Sequence, residues 1–208
     1  MNFFSYDGKL MNFLTTLWNI IWINFLWLIC SIPVITFGAA STAAYYAMNK
    51  SVRNSTGYVT KEFFRSLKDN FKQATLLSIL YLLVGVILSA DAYYFYYCQA
   101  DYGLLGRILS LLLILIFFCA MNYSFVFLAR FKVKTFLLLK YGFQLTLIHL
   151  PQTFAFMVFF IATAIFIYWL PVTLFIVPGL KCYADSMLAE KVVQKYIEQL
   201  KDEKSIEV

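Results

Sequence analysis

The sequence predicts an all-α membrane protein with about five transmembrane helices plus cytoplasmic amphipathic helices, N-terminus out and C-terminus in. Three observations carry this. First, 62% of the 208 residues are hydrophobic and mean hydropathy is +0.75, whereas soluble domains are roughly 45–50% apolar. A chain this short cannot hide that much apolar surface inside itself, so lipid is the solvent for much of it. Second, five apolar runs reach the roughly 17–25 residues that cross a hydrocarbon core of about 30 Å. Third, the basic residues are segregated by loop. Six lie between 50 and 72, four between 130 and 140 and five from 181 onward, so 15 of 17 share one side of a five-span arrangement. Only Lys9 and Arg107 fall opposite. That asymmetry marks the cytoplasmic side. It also accounts for the net charge of +6 without a nucleic-acid partner.

The whole chain, 1–208, reads as one polytopic domain with the lipid bilayer as its first partner. Span 1 covers about 13–35. It is too long for the apolar stretch of a signal peptide, roughly 7–15 residues, and reads as a retained span. Trp18, Trp22 and Trp27 lie along it. Asn19 and Asn24 place amides at membrane depth, where an unpartnered polar group is costly. Each is either a packing hydrogen bond or a ligand contact. Pro33 removes a backbone donor and Gly38 frees the backbone, so the helix should kink or end between them, around Thr36. Ala39 to Met48 is rich in Ala, Ser, Thr and Tyr, including Tyr45 and Tyr46. Small side chains let helices approach closely, and about ten residues cannot span. This segment is expected to pack beneath the bundle.

Segment 61–72 places Phe64, Leu67, Lys68 and Phe71 at i, i+3, i+4 and i+7. That spacing makes one apolar stripe flanked by Arg65, Lys68 and Lys72, the signature of an interfacial helix. Span 2, about 74–94, ends in an aromatic run from Tyr93 to Tyr97 that reads as a belt at the water interface, with a sugar-stacking platform as the alternative. Span 3 is about 107–129, with Asn122 and Ser124 as polar interior. A second amphipathic segment, 135–149, follows. Its Phe136-x-x-Leu139-Lys140-x-x-Phe143 repeats Phe64-x-x-Leu67-Lys68-x-x-Phe71 at an offset of 72 residues, which implies two related units. Span 4 is about 151–168. Span 5, about 172–188, contains Pro178, Gly179, Lys181 and Asp185 and reads as a broken helix. Lys181 and Asp185 stand at i, i+4, either as an ion pair or as a contact for a substrate or ion. A last amphipathic segment, 189–201, carries Ala189, Val193, Tyr196, Ile197 and Leu200 on one stripe.

The common catalytic and nucleotide-binding motifs were sought and do not occur: there is no phosphate-cradling glycine loop, no H-E-x-x-H and no G-x-S-x-G. Cys30, Cys98, Cys119 and Cys182 are not at metal-ligand spacing, and there is one histidine, His149. The expectation is therefore no catalytic residue, no metal and no cofactor.

A string of residues from 3 to 75 carries a family resemblance. It comprises Phe3-Phe4, Asp7-Gly8, Leu10-Met11, Phe13-Leu14, Asn24, Leu26-Trp27-Leu28, Cys30, Pro33-Val34 and Thr36. Gly38-Ala39-Ala40, Thr42-Ala43, Tyr45-Tyr46, Arg53, Gly57-Tyr58, Ser66 and Asn70 to Ala74 continue it. This string resembles the YesL-like family of bacterial integral membrane proteins, long classed as a domain of unknown function. The resemblance implies a multi-pass protein of the bacterial cytoplasmic membrane. Members are often encoded beside carbohydrate ABC importers, which implies a role in sugar uptake.

Two functions follow as expectations. The first is a non-catalytic accessory or regulatory subunit of a carbohydrate ABC importer. Phe64, Arg65, Lys68, Phe71, Lys72 and Lys140 would then dock on permease or ATPase subunits, and Asn24, Trp27, Pro33, Thr36, Gly38, Tyr45 and Tyr46 would set helix packing, with self-association as a further partner mode. The alternative is a stand-alone small-solute transporter built from two related halves.

Overall fold

The computed structural model describes residues 9–54, 57–97, 103–131 and 133–206, with their side chains from Leu10 to Val192. The sequence features at Phe3 to Gly8, the 98–102 turn, Lys132 and the side-chain stripe from Val193 to Leu200 lie outside what it describes. The described residues form helices, with no strand among them: α1 (Lys9–Ser31), α2 (Phe37–Ala47), α3 (Val59–Tyr97), α4 (Gly103–Arg130), α5 (Thr135–Ile148), α6 (Leu150–Trp169) and α7 (Val177–Ile206). Four of them, α1, α3, α4 and α6, are long and apolar enough to cross a membrane. The protein is thus a multi-pass helical membrane protein.

At Pro33 the chain reverses. Proline offers no N–H to continue the α1 ladder, and Thr36 closes the turn. Its hydroxyl lies 2.6 Å from the Cys30 carbonyl and 2.8 Å from that of Pro33. From there α2 runs back along α1. Trp27 Nε1 donates to Ser41 Oγ at 3.1 Å. Farther down, Ile20, Ile23 and Leu26 pack with Ala43, Ala44, Ala47, Met48 and Val52. The expectation that this segment lies beneath the bundle is corrected here. Every α2 residue from Gly38 to Ala47 except Tyr46 is buried, between α1, α3, α4 and α7. Its small side chains allow neighbours on all sides. At Gly38 an added Cβ would stand 2.0 Å from Ser78 Oγ and 2.4 Å from the Phe125 ring. The Gly38 N–H is one of the first-turn donors that lack an intrahelical partner, and it donates to Ser78 Oγ at 3.0 Å. The last turn widens into a π-helical segment, Met48–Arg53.

The amphipathic 61–72 segment and the second span join without a break in α3. Its 39 residues extend about 58 Å at 1.5 Å per residue, far more than a hydrocarbon core needs. Six of its seven charged residues lie between Lys61 and Lys72 and the seventh, Asp91, lies near the far end, so the first part of the helix stands outside the apolar span. The second copy of the repeat behaves differently. There the helix stops at His149 (φ −104°, ψ 58°) and restarts as α6, with Pro151 in its first turn, where no N–H is missed. Within the repeat Ser66 and its counterpart Leu138 are both buried, while Gly142 is buried and its counterpart Asn70 only half-buried. Both lysines, Lys68 and Lys140, face outward.

The region expected as span 5 is a 3₁₀ turn, Pro171–Phe175, followed by α7. That helix runs unbroken through the segment expected as a separate amphipathic helix. Pro178 and Gly179 do not interrupt α7, because they lie in its first turn, where proline is tolerated.

Candidate functional site

A cavity of ≈ 360 Å³ lies between α1, α2, α4, α6 and the start of α7. Its walls are apolar and aromatic, with Trp27, Phe37, Phe118 and Phe160 among them. Six polar side chains line it: Asn24, Ser41, Tyr45, Asn122, Thr163 and Lys181.

Each is positioned by a local constraint. Asn24, from α1, is 2% exposed. Its Nδ2 donates to the Leu174 carbonyl at 3.1 Å and so pins the 3₁₀ turn. Its Oδ1 is buried without a partner. The α7 helix crosses α1 at this point, where a Cβ on Gly179 would stand 2.8 Å from Asn24 Cβ and 3.0 Å from the Ile20 carbonyl. One turn along α7, Lys181 Nζ is 2.5 Å from Asp185 Oδ2. Asp185 is fully buried, because α2 and α4 cover it. Tyr45 OH lies 2.7 Å from Asn122 Oδ1 and 3.3 Å from Asp185 Oδ2. Asn122 Oδ1 also lies 3.5 Å from Lys181 Nζ, at the outer limit of a hydrogen bond. Asn122 itself is turned by donating Nδ2 to the Phe118 carbonyl at 2.9 Å. Together these residues form an ion pair, a phenol and an amide that knit α2, α4 and α7, with zero formal charge.

A second polar cluster closes the basic end of the bundle. Arg130 pairs with Glu190, which also accepts from Asn49 Nδ2 at 2.6 Å. Arg53 donates to the Ser186 carbonyl at 3.2 Å. Lys50 meets Glu62 at 2.9 Å and lies over the Tyr46 ring. The hydrogen bond from Lys50 holds the Glu62 carboxyl below the usual carboxylate range, and the same bond raises the Lys50 ammonium above its ordinary value.

The residues read from the sequence as a docking face are on the surface. Phe64 is 47% and Phe71 43% exposed. With Leu67, Lys68 and Lys72 they line one shallow groove on the first third of α3. Arg65 is beside it, in an exposed contact with Asp69 at 3.9 Å. Lys140 is exposed on α5, outside this groove. Of the packing residues, Asn24, Trp27 and Tyr45 converge on the cavity. Pro33 and Thr36 form the turn, Gly38 makes the α2–α3 approach, and Tyr46 faces Lys50. Among the side chains that sequence reasoning did not single out are Ser41, Asn49, Glu62 and Glu190. Their partners are 12 to 141 residues away, so no local spacing could reveal them. Among the described residues no group of three or more His, Cys, Asp or Glu could hold a metal.

Fold and site together define a polytopic helical membrane protein with a polar-floored cavity inside its bundle. Residues 20–92 match the profile of a family described as "Protein of unknown function, DUF624". The match takes in the second half of α1, all of α2 and α3 as far as Ala92. Asn24, Ser41 and Tyr45 are within it, and Asn122, Lys181 and Asp185 are outside it. No curated protein and no solved structure matches the chain.

Proposed function

We propose that this chain is a non-catalytic accessory or regulatory membrane subunit of a carbohydrate ABC importer, in the bacterial cytoplasmic membrane with its basic helix ends inside. The observation that carries the reading is the groove on α3. Phe64 and Phe71 are exposed beside Lys68 and Lys72 on a stretch of helix that extends past the apolar span. Two exposed aromatics framed by cations form a surface for an acidic, apolar-faced partner. The resemblance of residues 3–75 to the YesL-like family supplies the identity of that partner. Orientation follows from charge, with one revision. The α1–α2 hairpin brings Trp18 and Trp22 beside Gly57 to Thr60. The first half of α1 therefore shares an end with the basic loop, which favours both termini inside over the amino terminus outside.

The test is purification of the tagged full chain from its native membrane in mild detergent. Permease subunits should co-purify at a stoichiometric level, and Phe71→Asp with Lys68→Glu should abolish this while the variant itself is recovered normally. Undiminished co-purification and uptake in the double variant would remove the docking proposal. The transporter alternative draws on one observation of its own: the cavity adjoins both helix breaks, at 32–36 and 170–176, as substrate sites in transporters do. Purified protein in liposomes that moves a sugar or an ion would favour it.

A further inference from the structure

The cavity has a composition from which a ligand class can be read, independently of the importer reading. Its floor carries two incomplete polar groups. Asn24 Oδ1 is an acceptor with no partner among the described residues, on a side chain that is 2% exposed. A buried acceptor left unmet is costly, so a donor on an occupant would be favoured there. Lys181 is the complement. Its ammonium has three N–H donors but only one close acceptor, Asp185 Oδ2 at 2.5 Å, and a marginal one at 3.5 Å. The cavity thus presents a free acceptor and a spare donor, the pattern a single hydroxyl satisfies by donating to one and accepting from the other.

Charge and shape narrow the class further. Lys181 is already neutralised by Asp185, so an anionic head would meet the buried carboxylate and a cationic one the ammonium. The occupant's head is therefore uncharged. Ser41, Tyr45, Asn122 and Thr163 are each engaged in hydrogen bonds within the protein, the rest of the lining is apolar, and a free sugar would bury several hydroxyls there with few partners, at a cost for each. The mouth points the same way. Ala164 and Leu174, which line the cavity, are also exposed, and Leu170, Val172 and Phe175 beside them are 58%, 72% and 53% exposed. The exposed edge of the cavity at Ala164 and Leu174 is thus apolar and faces lipid rather than water.

We infer that this cavity binds an uncharged, hydroxyl-headed amphiphile taken from the bilayer, its hydroxyl between Asn24 and Lys181 and its chain between Trp27, Phe118 and Phe160. The test uses the purified full chain in phosphatidylcholine nanodiscs, with a diazirine-bearing tetradecanol as probe and its methyl ether as the control lacking the donor. Labelling by the alcohol should saturate and map to peptides around Trp27, Phe118 or Phe160. Unlabelled tetradecanol should compete about tenfold better than the ether, the factor expected of one hydrogen bond. Asn24→Leu should remove that preference. Ala164→Phe, which fills the mouth from the exposed side of α6, should abolish saturable labelling with the thermal midpoint unchanged, so the test does not depend on how well Asn24→Leu folds. Non-saturable labelling, equal competition by alcohol and ether, or labelling that persists in Ala164→Phe would overturn the inference. So would displacement by millimolar glucose, which would make the cavity a saccharide site, or tighter competition by tetradecanoic acid than by the alcohol.

Discussion

Two regions of this molecule solve the problem of packing in lipid in opposite ways. Around α2, helices meet through buried polar groups and glycine contacts: Gly38 against Ser78, and Tyr45 with Asn122 and with the Asp185 that Lys181 neutralises. Beyond Ser78, the far part of α3 and the near part of α4 lean chiefly on each other. Their outward faces carry Leu82, Leu83, Val86, Ile87, Leu104, Leu105 and Ile108, all 45% exposed or more. Lipid chains are as apolar as leucine, so such surfaces gain little by choosing one neighbour over another. The polar interior has no equivalent partner in lipid and must find its own. Register and shape are therefore set at the α2 end, and the α3–α4 hairpin supplies length and anchorage.

The largest consequence concerns Lys181 and Asp185. Lys181→Met strands a fully buried carboxylate, and loss of one partner of a buried pair costs about 3–5 kcal/mol. Thermal unfolding in detergent should show a collapse of the folded state, and Lys181→Met with Asp185→Leu should recover much of it. Leu105→Ala, on the exposed hairpin face, should shift the same midpoint little. If Lys181→Met were no worse than Leu105→Ala, the two regions would not differ as argued.

Glycines give the next contrast. Gly38→Ala drives a Cβ to 2.0 Å from Ser78 Oγ and 2.4 Å from the Phe125 ring, whereas at Gly85 the nearest atoms, on the Phe117 ring, stand 3.5 Å away. Overpacking of the first kind costs about 1–3 kcal/mol. Gly85→Ala meets only ordinary contact and removes a poor helix former, so it should be neutral or stabilise by up to about 1 kcal/mol. Opposite signs in one melting experiment are the expected outcome. The hairpin has one close approach of its own at its tip, where a Cβ on Gly106 would stand 2.1 Å from the Phe95 ring, and matched losses at Gly38 and Gly85 would extend close packing along its length.

The same contrast explains how much was legible in the sequence. The apolar hairpin was read almost whole, because run length and hydropathy are local. So was the Lys181–Asp185 pair, because i, i+4 spacing is local on a helix. The burial of α2 was misjudged: small residues do permit close approach, but ten residues are too few to span, and length was given more weight than composition. The cavity could not be read at all. Asn24, Asn122 and Lys181 are each visible as polar residues in apolar runs. Their convergence depends on α7 crossing α1 at Gly179, a contact that spans 155 residues of sequence. Likewise nothing in the periodicity of the 135–149 and 151–168 segments separates the broken α5–α6 joint from the seamless α3.

The smallest effect belongs to Lys50 and Glu62, and it tests whether the basic end works by charge. Here the pair lies at the edge of the fold, with the Lys50 side chain 32% exposed and the Glu62 side chain buried at 8%. The Glu62 carboxyl is held below its usual range by the hydrogen bond from Lys50. Its contribution to stability is therefore complete above the unfolded value, about 4.3, and is lost as pH falls through the depressed folded value. The Lys50 ammonium is raised, so its contribution is complete below the unfolded value of about 10.4 and is lost as pH rises through the higher folded one. The thermal-midpoint gap between the parent and Lys50→Met should thus be flat from about pH 5 to pH 10 and close on both sides. Added salt should shrink it, because exposed charges are screened within about a Debye length, while the gap for Lys181→Met should hardly move. A Lys50 gap that ignored both acid and salt would mean that the side chain acts there by covering Tyr46, not by pairing with Glu62.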